Sequence, residues 1–457
     1  MRLLLQLLAS LAISTTFIAS AFAVDENNSE IDFFADVAVD SEAEKNNESN
    51  HLTGYLQQQL GYSPKDHKYF AFSRKETGIS QARTTLTLKY QNTFADGIEY
   101  ELSGNSYYDT YYHSEGRDNF SNSEYSVMAD DVELRNAYIN LETYDGLWLK
   151  LGKQIVAWGE SEYVQIIDMV NPRDLKEFGI VDLEDSRIPV WASRLSYVGK
   201  QWGSDLVLVH KFEPNKTAGD FSDFDQYITL RNFAAIDRDY KTDVDFTNPD
   251  IFFRLFLQKG HSDISFVYAK SHQTSPEFDI KSVEPFALAT LYQEIETFGV
   301  AANYVYGFWL LKTEISNKTG MRFAQKVPTD EFNVYRSYHQ MMLGFEFSGI
   351  NDVQIASEYI INHIGGDDDI LAQENNNDLF SNRINFQFLN QTLNVELLLA
   401  HWVQGHSDSV RLTANYDISD ALKVSIGYID FIAKSETDTL YYFQNSDRIF
   451  ASLRYAF

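Results

Sequence analysis

The sequence predicts an all-β protein, a transmembrane antiparallel up-and-down β-barrel of about 18 strands closed by a C-terminal strand that ends in Phe457. Three observations carry this expectation. The last residues alternate: Ile449, Ala451, Leu453, Tyr455 and Phe457 fall on one face, and Phe450, Ser452, Arg454 and Ala456 on the other. That is the period of a strand with one apolar face and one that meets water. Similar segments recur along the chain, joined alternately by short and long connections. Membrane barrels have short periplasmic turns and longer external loops, whereas a soluble sandwich has no reason to sort its loops this way. Finally, beyond the N-terminal signal no stretch approaches the roughly 20 apolar residues of a membrane helix. Only helices and closed barrels satisfy their backbone hydrogen bonds in lipid.

In chain order, an export signal comes first. Arg2 gives the positive end, Leu3 to Ile18 the apolar core, and Ala21-Phe22-Ala23 a small-x-small cleavage site before Val24. Residues 1–23 are therefore expected to be a signal peptide and the destination the bacterial outer membrane. Residues 24–50 are acidic and rich in Asn, Ser and Glu, and read as a disordered tail anchored at most by Ile31-Asp32-Phe33-Phe34. The barrel then occupies residues 51–457.

Its strands centre on 52–61, 80–92, 97–110, 132–142, 146–156, 189–199, 203–213, 249–258 and 262–271. They continue over 294–306, 308–318, 337–348, 352–363, 381–389, 392–402, 408–417, 420–432 and 446–457. Short connections include Thr143-Tyr144-Asp145-Gly146, Lys259-Gly260-His261, Gly307 and Asn390-Gln391. Long ones cover 61–79, 111–131, 157–188, 214–248, 272–293, 319–336, 364–380 and 433–445. The final strand, with Tyr455 and the terminal Phe457, resembles the closing strand and assembly signal of bacterial outer-membrane barrels.

Composition agrees. Hydrophobic residues make up 44%, yet mean hydropathy is -0.32, because polar residues are interleaved with apolar ones. The 28 Tyr and 33 Phe can supply interfacial girdles. Without cysteine, disulfides and thiolate chemistry are excluded. A formal net charge of -29 argues against nucleic acid and suits a surface among lipopolysaccharide and divalent cations.

Parity separates two faces. Leu206 and Leu208 oppose Asp205; Ile251, Phe253, Leu255 and Leu257 oppose Arg254; Ile384 and Phe386 oppose Arg383. Leu397 opposes Glu396, Leu412 opposes Arg411, and Ile426 opposes Ser425. A charge at mid-membrane on the lipid face costs about 2–4 kcal/mol, so the charged face is the lumen. Arg254, Glu314, Glu358, Arg383, Glu396, Arg411 and Arg454 form a polar interior, either a water-filled path or an ion-pair network. Two strands resist this sorting: in 337–348, Gln340 and Glu346 share parity with Tyr338 and Met342, and in 146–156 Lys153 shares parity with Leu149 and Leu151. A bulge at Gly152, or a position at the membrane rim, would account for Lys153.

One stretch is more specific. Residues 149–174 read LKLGKQIVAWGESEYVQIIDMVNPRD. The loop after Trp158-Gly159 carries Val164, Ile166, Ile167, Met169 and Val170, which a solvated loop does not need, and an Asn-Pro turn signal. Such a loop can fold inward and narrow the pore. Here the chain resembles a widespread group of poorly characterised Gram-negative outer-membrane barrels of porin-like or exporter-like character. The likeness rests on Gly152-x-Gln154, Trp158-Gly159-x-Ser161, Asp168, Asn171-Pro172-Arg173-Asp174, Glu184-Asp185-x-Arg187-x-Pro189-Val190 and Arg194-Leu195-Ser196-Tyr197. It implies an outer-membrane location and transport. It supplies no substrate and no catalytic residue.

The expected function is a channel, porin-like or exporting, that passes a small solute through a polar lumen narrowed by the 157–188 loop. Its expected lining is Lys150, Gln154, Glu160, Asp168, Arg173, Glu184, Asp185, Arg194, Arg254, Arg383, Glu396 and Arg411. Lys150 and Arg194 are set across a gap from Glu160, Asp168, Glu184 and Asp185, giving a transverse field. A second reading is an occluded barrel that serves as receptor, adhesin or structural protein; a third is a barrel hydrolase. Expected partners are outer-membrane lipid and lipopolysaccharide, the barrel-assembly machinery and the solute, with a periplasmic or inner-membrane partner if the barrel exports. The ten histidines are scattered and no G-x-S-x-G occurs, so no catalytic residues and no enzyme are expected. No cofactor or metal is expected either. Asp367-Asp368-Asp369 lacks the spacing of an EF-hand loop and reads as a solvated acidic loop.

Overall fold

A computed structural model of the chain describes residues 52–65, 77–95, 98–182, 185–231, 234–326, 333–366 and 370–457. The signal peptide, the acidic tail, Glu184 and Asp367 to Asp369 lie outside the described residues.

Alternation of small or apolar with polar residues produces long antiparallel strands. The first nine are β1 (Leu52–Ser63), β2 (Gly78–Ala95), β3 (Ile98–Asp109), β4 (Asp130–Tyr144), β5 (Leu147–Gln154), β6 (Val190–Val198), β7 (Trp202–Val209), β8 (Asp250–Lys259) and β9 (Ser262–His272). The rest are β10 (Glu294–Tyr306), β11 (Trp309–Ala324), β12 (Asn333–Ile350), β13 (Val353–Ile364), β14 (Leu379–Phe388), β15 (Leu393–Trp402), β16 (Ser407–Ser419), β17 (Leu422–Ile432) and β18 (Arg448–Ala456). They form one 18-stranded sheet in which each strand pairs with its sequence neighbour. β1 pairs with β18, Tyr55 opposite Ala456 and Tyr62 opposite Ile449, so the sheet closes on itself. Closure removes the edges that an open sheet would expose. Each of the predicted spans overlaps one of these strands, in order.

The turns between β8 and β9 and between β10 and β11 show why glycine punctuates the short connections. Gly260 and Gly307 adopt φ of 62° and 60°, the left-handed region that tight hairpins require. On the long-connection side three details differ from expectation. β11 and β12 run on past the predicted ends, to Ala324 and from Asn333. The connection between β15 and β16 is only residues 403–406. The long connections also carry structure, including helices Thr110–Glu115 and Asn122–Met128 and a small sheet of Ala235–Asp237, Glu277–Val283 and Phe286–Leu291.

The two faces sort as parity requires. Leu412 and Ile426 are 44% and 55% exposed on the outside, whereas Asp205, Arg254 and Arg411 are at most 5% exposed. The two unsorted strands are now explained. In β12 the inward face carries both Gln340 and Met342, each buried, because apolar matter fills the lumen at that point. Lys153 is near the loop end of β5, and its ammonium donates to the Leu134 carbonyl at 2.7 Å. Ladders on both sides of β5 pass Gly152 without a register shift, so no bulge forms there.

Candidate functional site

Between β5 and β6 the chain leaves the wall and its described residues 155–182 and 185–189 fold into the lumen. Its apolar side chains give the reason. Val156, Trp158, Ile166, Ile167 and Val170 are at most 3% exposed. They pack with Val207, Phe252, Val267, Met342 and Ile360, which point inward from five different strands.

Asn171 holds the two stems of this plug together. Its carbonyl oxygen accepts from the Val156 N–H at 2.7 Å, and its amide donates to the Ile188 carbonyl at 2.7 Å. Asp168 accepts from Arg187 at 3.0 Å and pairs with Arg173. Its other oxygen accepts from the Trp158 N–H at 3.3 Å. Buried backbone donors must be satisfied, and two lumen carboxylates do this for the turn of the plug. Glu314 of β11 accepts from the N–H groups of Glu160, of Ser161 at 3.0 Å and of Ile167 at 3.2 Å. Glu358 of β13 accepts from the Ser161 hydroxyl at 2.8 Å and the Glu162 N–H at 3.0 Å.

Side-chain charges tie the plug further round the barrel. Glu162 lies 3.3 Å from Lys312 and 3.1 Å from Arg383. Asp182 is paired with Arg383 at 3.3 Å and with Arg411. Arg411 also meets Glu396 at 2.8 Å and donates to the carbonyls of Gly179 and Ile180 at 3.2 and 3.1 Å. Glu177 accepts from Gln81 at 2.6 Å and Arg83 at 3.1 Å, on β2. Phe178 stacks on Phe431 and Phe443. Contacts therefore run from β2 round to β17. Beside the plug lies a cavity of about 80 Å³, lined by Glu162, Tyr163, Glu177, Asp182, Arg383 and Arg411 among others.

Electrostatics follow from this burial. Burial pushes the carboxyls of Glu160 and Glu162 above the ordinary value, against the pull of Lys312 on both. Burial also acts upward on Glu177, but Arg83, Arg448 and Lys176 outweigh it and hold that carboxyl below the usual range.

The expected lining residues divide. Arg383, Glu396 and Arg411 gather around Asp182 and Glu162 in the lumen. Arg254 reaches the plug through its guanidinium, 5.4 Å from the Trp158 ring. Gln154 is buried at the end of β5 and donates to the Ala192 carbonyl at 3.0 Å. Asp168 and Arg173 bind within the plug, and Asp185 is exposed. The contacts of Lys150 and Arg194 among the described residues are with the wall. Lys150 sits 3.7 Å from the Tyr138 ring centroid, and Arg194 pairs with Asp205 at 3.0 Å, as does Arg254 at 2.9 Å. Inward residues on adjacent strands are nearest neighbours, so Asp205 on β7 captures Arg194 and Arg254 before the loop can. The opposition of basic wall and acidic loop exists, but with Lys312, Arg383, Arg411 and Arg83 as its cations. Lys312, Glu162 and Glu177 are missing from the expected lining. The parity rule that selected Arg383 and Arg411 could have found Lys312.

An eighteen-strand closed barrel with a loop tucked into its lumen makes this a porin-like membrane β-barrel. Within that class, the chain belongs to the family described as "Protein of unknown function (DUF1302)", whose model matches residues 3–457. No curated protein matches the sequence. Among solved structures it is similar to OccAB3 of Acinetobacter baumannii, with a TM-score of 0.53 and 10% identity. That likeness covers 89% of this chain and 98% of the other. OccAB4 of the same organism is similar at a TM-score of 0.50 and 11% identity, over 89% and 97% of the two chains. At such identity the likeness is one of fold.

Proposed function

We propose that the protein is an outer-membrane channel for a small solute, and that the 155–189 loop is its gate, closed in this conformation. A single observation carries the reading: a loop hinged at β5 and β6 crosses a lumen that eighteen strands make wide enough for water. The gate's turn is held by ion pairs and carboxylate–backbone bonds to β11, β13, β14 and β16. Charge pairs of this kind are exchanged for water more readily than an apolar seam when the loop swings, because water solvates both partners. The porin-like fold supports both the channel role and an outer-membrane address.

One observation favours the rival reading of a permanently occluded barrel. The stems of the loop, at Val156, Trp158, Ile166, Ile167 and Val170, are packed as tightly as a protein core. Liposome swelling separates the two. Proteoliposomes carrying the Asp182→Asn/Arg383→Gln variant, which breaks the ion pairs of Arg383 and Asp182, should admit small sugars faster than those carrying the native barrel. Equal, background-level swelling from both, with normal folding, would support the occluded barrel instead.

A further inference from the structure

On the long-connection side of the barrel lies a cavity of about 450 Å³, within the size range of small-molecule sites. The 210–249 and 273–293 connections wall it, and the plug residues Lys176 and Ile188 also line it. Four aromatic rings contribute: Tyr227 meets Phe278 edge-on at 5.1 Å, and Tyr240 meets Tyr292 edge-on at 4.9 Å.

The cations in the lining are already paired. Arg231 is 2.8 Å from both Asp220 and Asp225, and Arg238 pairs with Asp220. Lys216 is 3.2 Å from Glu133, and Lys176 is 3.4 Å from Asp174. Of the lining carboxylates, Asp131 faces Lys216 at 3.6 Å and Glu213 faces Lys211 at 2.6 Å. The phenols differ. Among the described residues, the hydroxyls of Tyr227, Tyr240 and Tyr292 have no hydrogen-bond partner. Burial pushes Tyr227 up and Tyr292 up to about 12, so both stay protonated and act as donors at neutral pH.

We propose that this cavity binds an uncharged solute with a flat ring and acceptor oxygens, its ring against the Tyr227, Tyr240, Phe278 and Tyr292 side chains and its oxygens accepting from the tyrosine hydroxyls. An anion would compete for cations that carboxylates already neutralise. A purely apolar solute would strand the phenols, since a buried polar group without a partner is costly. The site is also joined to the plug. The Arg173 N–H donates to Asn215 at 2.7 Å, and the Lys216 N–H donates to the Arg173 carbonyl at 2.9 Å. Asp174–Leu175 of the plug pairs in parallel with Lys216–Thr217 of the cavity wall. An occupant therefore touches the element that crosses the lumen, although binding itself requires no conduction.

The experiment uses the purified full barrel in detergent and two probes, neutral coumarin and the anionic coumarin-3-carboxylate, followed by titration calorimetry. Coumarin should bind saturably and more tightly than its carboxylate. The Tyr227→Phe/Tyr240→Phe/Tyr292→Phe variant keeps every ring and should weaken coumarin by about tenfold or more, as the loss of up to three hydrogen bonds implies. Tyr292→Phe alone should weaken it by a smaller factor. Heat-modifiable migration on gels reports that each variant is folded. Absence of saturable coumarin binding, equal affinity in the triple variant, or preference for the carboxylate would each overturn the proposal.

Discussion

Asn171 illustrates how one side chain can position a whole loop. Its side chain accepts from Val156 and donates to Ile188 and, at 3.4 Å, to the Gln154 carbonyl, so its amide ties one stem of the plug to the other. Replacing it with Ala strands a buried N–H and a buried carbonyl, at a cost of about 1–3 kcal/mol for each group. Arg173 is fully buried in the native barrel. Trypsin should therefore cut within 155–189 of the Asn171→Ala barrel well before it cuts the native one. Equal digestion rates would remove Asn171 from this role. The raised carboxyl of Glu160 should make the seating of the plug depend on pH. Burial raises its carboxyl above the ordinary value of 4.5, with Asn303, Lys312, Arg254 and Asp263 facing it. A raised carboxyl contributes stability below its unfolded value and loses it as pH rises through the folded value. Glu162 has the same sign, whereas the depressed Glu177 loses its contribution only at more acid pH. Channel opening should therefore increase as pH rises above the ordinary carboxyl value, and Glu160→Gln should flatten part of that rise. An unchanged slope in the variant would exclude Glu160 as a source.

At the level of elements, the strands could be read from the sequence because alternation is a local property. The outward residues of β15 to β17 needed only their neighbours to be assigned. Arg in place of Ile426 should cost about 2–4 kcal/mol of folding stability, depending on depth, while Arg in place of Ser425 should cost far less. Urea titration of refolding into lipid vesicles measures both, and equal losses would reverse the assignment of inside and outside. The closing strand can be tested in the same way. Phe457 exchanges two backbone bonds with Gly54, each 2.9 Å long. Deleting Tyr455 to Phe457 should deplete heat-modifiable barrel from outer membranes, and normal levels would argue against its part in closure. The partners of the plug could not be read in this way. Ser161 and Glu358 are 197 positions apart, and Asp182 and Arg411 are 229 apart. Parity shows that Arg411 and Glu358 face the lumen, but not which loop atom they meet there. Arg194 satisfied the same parity, yet a cross-strand neighbour, Asp205, took it.

The molecule as a whole combines a closed wall with a loop that crosses it. Apolar packing seats the stems of the plug, and ion pairs with Lys312, Arg383 and Arg411 hold its acidic side chains. The central claim is that this loop gates a conducting lumen. Single-channel recording in planar bilayers tests it most directly, with the native barrel and the Asp182→Asn/Arg383→Gln variant inserted in equal amounts. The account predicts rare, brief openings from the native barrel and long-lived openings of larger conductance from the variant. Two folded, inserted barrels that remain equally silent would contradict it.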